Sequence, residues 1–116
     1  MNIHSLSRSL ALILFVAAYS SAGAADAPYV RITFPPDGAK LDALSQSRID
    51  YVVNPGPRGS HTHLYVDNEE AAILRKLSGS HVLESLPPGA HSLCIKVVNK
   101  AHVPIGVEQC ISVKVE

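Results

Sequence analysis

The chain has 116 residues, 47% of them hydrophobic, with 10 Lys/Arg against 10 Asp/Glu and six histidines. Basic residues are scattered rather than clustered, which excludes the usual electrostatic footprint of nucleic-acid binding and of attachment to an anionic membrane. Two cysteines and this length allow one disulfide and one small domain.

The first 25 residues read as a secretory signal peptide. Arg8 supplies the positive start, Leu10 to Ala18 form the apolar run, and Ala22-Gly23-Ala24 offers a small-residue cleavage pattern. The run is shorter than the roughly 20 residues of a membrane span, so no stable membrane insertion is expected. A periplasmic or secreted protein follows, with residues 26–116 as its one domain.

Within that domain, apolar residues alternate with polar ones in short stretches. Val30, Ile32 and Phe34 mark a first strand, stopped by Pro35-Pro36-Asp37-Gly38. Ile49, Tyr51 and Val53 mark a second, followed by a proline-rich loop from Asn54 to Gly59. The third strand is His61-Thr62-His63-Leu64-Tyr65-Val66, with Thr62, Leu64 and Val66 on one face and His61, His63 and Tyr65 on the other. Asp67-Asn68 turns the chain back. Residues 71–77 suit either an edge strand or one helical turn, and His81 to Leu86 reads as a short fifth strand.

Leu86-Pro87-Pro88-Gly89-Ala90-His91-Ser92-Leu93 makes a corner into a strand with Leu93, Ile95 and Val97 inward. After a loop holding Asn99, His102 and Pro104 comes a last strand with Val107, Ile111, Val113 and Val115 inward. Gln109 interrupts its apolar row and suggests a bulge or a frayed start. About seven strands with regular turn signals predict an all-β sandwich of immunoglobulin or fibronectin type III kind. In such folds a tyrosine turns the corner into the sixth strand, and here His91 takes its place.

Setting Cys94 opposite Cys110 in the final hairpin also sets Lys96 opposite Glu108 and Ser92 opposite Ser112, all on the outer face. A structural disulfide is expected in an oxidising compartment; without a Cys-x-x-Cys motif, a redox or thiolate-metal pair is the lesser reading.

Two imidazoles two residues apart on one strand face are roughly 6.6 Å apart along the backbone, close enough to lean onto one ion. Alternating strand directions place His102, and less directly His81, at the same end, with His91 at the other. The expected metal ligands are therefore His61, His63, His102 and His81. Imidazoles without thiolate favour Cu(II) or Zn(II). Met1 is the sole methionine, which excludes a Met-rich Cu(I) site, and a blue-copper centre would need a free cysteine. No nucleophile elbow or zinc-protease motif is present, so the chain is read as no enzyme.

His-x-His-Leu-x-Val-Asp at 61–67, Gly-x-His at 79–81, Leu-Pro-Pro-Gly-x-His-x-Leu at 86–93 and the late His102 resemble a family of small secreted bacterial immunoglobulin-like proteins of unknown function. The resemblance covers roughly residues 59–116 and touches His61, His63, Leu64, Asp67, His81, Pro87, Pro88, Gly89, His91 and His102. Members often carry a third histidine in the first cluster and a Gly-rich, Gln-containing stretch near the His81 position; Gly59-Ser60 and Ser78-Gly79-Ser80 depart from both. The resemblance implies an immunoglobulin-like fold and a secreted protein. Two functions are expected to compete: a Cu(II) or Zn(II) buffer, carrier or sensor, and a non-catalytic module holding a periplasmic protein partner or a glycan through the sheet face around Tyr65 or the His102 loop.

Overall fold

The computed structural model describes residues 11–17 and 27–116. Most of the expected signal peptide lies outside them; residues 11–17 are exposed and form neither helix nor strand. Among the described residues, eight strands make two sheets that pack face to face, as the alternation predicts.

One sheet has three antiparallel strands, β1 (Tyr29–Phe34), β3 (Ser47–Asn54) and β6 (Ser78–Leu83), in the order β1-β3-β6. The other runs β2 (Ala39–Leu41), β8 (Pro104–Val115), β7 (Gly89–Val98), β4 (His61–Val66) and β5 (Glu69–Leu74). The two prolines end β1, and the chain crosses to the second sheet as β2, which pairs in parallel with β8. That three-residue strand is the one the sequence does not announce.

The segment left open between strand and helical turn is the strand β5, which starts two residues and ends three residues before the expected 71–77. The fifth predicted strand, expected over His81 to Leu86, likewise lies earlier, at Ser78–Leu83: Ser78, Gly79 and Ser80 pair with Val52, Tyr51 and Asp50 inside β6. Asp67 and Asn68 both take positive φ (50° and 68°), the geometry of a tight β4–β5 hairpin turn.

The core lies between the sheets. Val30, Ile32, Ile49, Tyr51, Val53 and Leu83 meet Leu64, Leu74, Leu93, Ile95, Val97, Ile111 and Val113. Leu64 is inward, so the period of two sends His61 and His63 to the outer face of the five-stranded sheet. Gln109 corrects the expected irregularity: it sits in regular register opposite Ile95 and accepts a hydrogen bond from the Ile32 amide at 2.6 Å. It thereby ties β8 to β1 across the sandwich. The bulge falls earlier, where Val97 faces residues 105–107 between the Lys96–Glu108 and Val98–Pro104 pairs.

The disulfide forms where the hairpin register puts it, Cys94 to Cys110, with Lys96 opposite Glu108 and Ser92 opposite Ser112. No helix among the described residues is long and apolar enough to cross a membrane.

Candidate metal centre

β4 is a central strand, between β5 and β7, so its outward side chains are flanked on both sides. His61 stands opposite Val98 and His63 opposite Lys96 on β7. Both histidines are buried, 5% and 2% exposed, although they face away from the core. The strand is reached through a tight loop: a side chain at Gly59 would run into the Pro55 carbonyl oxygen and Val97, and the Ser60 amide donates to the Val98 carbonyl. That approach fixes where His61 begins.

The third histidine arrives from the β7–β8 hairpin. Asn99 organises that loop. Its side-chain oxygen accepts from the Ala101 and Val103 amides at 2.9 and 3.1 Å, and its carbonyl accepts from the His102 amide. His102 has φ of 63°, a left-handed conformation in which non-glycine residues are uncommon. So held, its ring comes over the strand and meets the other two.

Three nitrogens then converge. His61 Nε2 is 3.2 Å from His63 Nε2 and 3.1 Å from His102 Nδ1, and the last two are 3.0 Å apart. Among the described residues this trio is one of two groups whose donor atoms lie close enough to hold a metal ion. The other is Cys94, Glu108 and Cys110, whose sulfurs are already joined in the disulfide.

No placement of protons satisfies the trio. A nitrogen aimed at the centre carries either an N–H or a lone pair, so among three mutual contacts at least one sets like against like. A cation at the centre accepts all three lone pairs at once. With bonds of about 2.0–2.1 Å, ligand nitrogens sit about 2.9 Å apart at right angles and about 3.3 Å apart in a tetrahedron. The observed 3.0–3.2 Å lies between these limits.

The surroundings of His61 favour its unprotonated ring. Burial holds the His61 pKa below its ordinary value, helped by the proximity of His102, His63 and Arg75. Ser60 Oγ stands 3.1 Å from His61 Nδ1, an acceptor for an N–H there that leaves Nε2 facing the centre. His63 Nδ1 is buried without a hydrogen-bond partner, and Glu70 Oε1 lies 3.4 Å from it. His102 is exposed, so the group opens to solvent on its side.

The structure thus brings together His61, His63 and His102. His81 is elsewhere, on β6 in the other sheet opposite Ile49, where it lines an open cleft of about 490 Å³ with Leu64, Val66 and Glu70. His91 is at the far end, as the fold reading requires. Its Nδ1 donates to Asp67 at 2.6 Å and its Nε2 donates to the Pro87 carbonyl at 2.6 Å. That backbone bond four residues upstream is the one a corner tyrosine makes. Glu70, Asn99 and Ser60 do not stand out in the sequence; only Asn99, a turn-former beside the late histidine, carries a usable signal.

No family model matches the chain, and no curated protein matches it. Solved structures do. The chain is similar to a fibronectin(III)-like module of CbhA from Clostridium thermocellum, with a TM-score of 0.62 and 20% identity over 74% of this chain and 93% of that one. It is also similar to part of an endo-beta-1,4-mannanase from Thermotoga petrophila, with a TM-score of 0.61 and 15% identity, covering 83% of this chain but 21% of the enzyme. At these identities the likeness establishes the fold, an immunoglobulin/fibronectin type III sandwich, carrying a histidine trio able to hold a metal.

Proposed function

We propose that this is a secreted or periplasmic metal-binding protein that holds Cu(II) or Zn(II) through His61, His63 and His102, as a buffer, carrier or sensor rather than a catalyst. The observation that carries the reading is the convergence of three imidazole nitrogens within 3.0–3.2 Å, a contact set that only a cation satisfies fully. Neutral imidazoles on a non-thiolate site suit both ions. The signal-like leader and the Cys94–Cys110 disulfide support an oxidising, extracytoplasmic compartment.

Calorimetric titration of the oxidised domain with Cu(II) and then Zn(II) tests this directly, beside a His61→Ala/His63→Ala variant. One-to-one binding that the variant loses is the expected result. Metal at 100 times its Kd also stabilises the folded protein by about 2.7 kcal/mol, a shift readable in thermal unfolding. Absence of binding, or equal binding by the variant, overturns the reading.

A second reading rests on the surface around the histidines. Ile73, opposite His63, and Val103, next to His102, are 44% and 53% exposed. With the fibronectin-like fold they suit a module that docks a protein partner or a glycan, and such binding would persist in a strong chelator.

A further inference from the structure

We propose that Glu70 is the positioning residue that fixes the tautomer of His63, its carboxylate taking the Nδ1 proton in a hydrogen bond so that the Nε2 lone pair faces the centre; the role in metal binding rests on the function proposed above. Two independent observations meet here. His63 is 2% exposed, and its Nδ1 is a buried polar atom with no hydrogen-bond partner. Buried ring nitrogens of this kind are rarely left without one. The carboxylate at 3.4 Å is placed to supply it by a small side-chain rotation.

The second observation is how Glu70 comes to be there. β4 and β5 pair regularly at His63–Ile73 and Leu64–Ala72, then slip, so that Tyr65 faces Glu70 and Val66 faces Glu69. Ala71 is the extra residue. In an unslipped register Tyr65 would face Ala71, and Glu70 would face Val66 on the core side. The bulge turns Glu70 onto the outer face, beside His63, which is the kind of re-aiming that bulges next to functional sites provide.

The chemistry follows from the pairing. A carboxylate holding the far N–H of a ligating imidazole orients the ring and raises its basicity, and losing such a partner typically costs 10–100-fold in metal affinity. Ser60 occupies the equivalent position behind His61.

The test has two arms. Long-range ¹H–¹⁵N spectra of the metal-free protein report which nitrogen of His63 carries the proton; Nδ1 is expected in the wild type, and Glu70→Ala is expected to move the proton population toward Nε2. Cu(II) and Zn(II) titrations of Glu70→Ala are expected to show a 10–100-fold weaker Kd, with Glu70→Gln, whose amide oxygen still accepts, recovering part of it. Glu70 is half exposed, and thermal unfolding checks that both variants fold. An unchanged tautomer and an unchanged Kd in Glu70→Ala, with wild type binding metal, would overturn the assignment and leave the metal site standing. A tautomer that responds to Glu70 in a protein that binds no metal would do the reverse.

Discussion

His91 stands at the opposite end of the sandwich from His61, His63 and His102. It has an acceptor at each ring nitrogen, the Asp67 carboxylate and the Pro87 carbonyl, a pair of partners that favours the doubly protonated ring. Asp67 raises its pKa first, with the Pro87 bond adding, while the same contact and the Ser92 amide lower that of Asp67. His91 therefore stabilises the fold fully below the ordinary imidazole range, and this contribution is lost as pH rises through its raised folded value. The Asp67 share is lost as pH falls through its depressed one. With Asp67 half exposed, about 1 kcal/mol is expected from the pair. Comparing urea midpoints at about pH 5.5 and about pH 8.5 checks it: His91→Ala should lose more stability at the lower pH than at the higher. Gln109 is a quieter residue with a comparable role. Gln109→Leu leaves the Ile32 amide without its acceptor, and a loss of about 1–3 kcal/mol is expected in chemical denaturation.

At the scale of elements, the candidate metal centre is a strand plus a loop, and the two are unequally legible. The strict alternation of β4 is enough by itself to put His61 and His63 on one face, because a period of two leaves no other choice once Leu64 is inward. The up-and-down order of a sandwich puts His102 at that end and His91 at the other. His81 shows where such counting stops: strand direction gives the end of the sandwich but not which sheet a side chain belongs to, and β6 is in the other one. Glu70 is invisible to alternation because a single extra residue, Ala71, reverses the face that a period of two would assign. β2 escapes because three residues carry no readable period. The loop makes its own prediction. Asn99→Ala removes the acceptor of two amides that shape the His102 turn, so the fold should persist while Cu(II) or Zn(II) affinity falls at least tenfold, seen by titration beside unchanged far-ultraviolet circular dichroism.

Across the whole molecule, His61, His63 and the disulfide share one sheet, and the disulfide ties the two strands whose connecting loop carries His102. Cys94 and Cys110 join β7 to β8 on the outer face with a sequence separation of 16. Closing a loop of that length is worth about 3 kcal/mol in the chain-entropy account. Cys94→Ala/Cys110→Ala should lower the denaturation midpoint accordingly while keeping wild-type metal affinity, since β4 and the Asn99 turn hold the histidines without it. The two ends of the domain are also unequal. The chain enters beside the histidines, with Tyr29 paired to Asn54 and the Ala27 carbonyl accepting from the Asn54 side chain, just before the loop that leads into His61. It leaves at the opposite end, where Val115 faces Gly89 and the Glu116 amide donates to Leu41. The position of a polyhistidine tag is therefore not neutral: placed directly before Ala27 it lays a string of rival imidazoles at the end that holds the histidine trio, whereas placed after Glu116 it hangs from the opposite end.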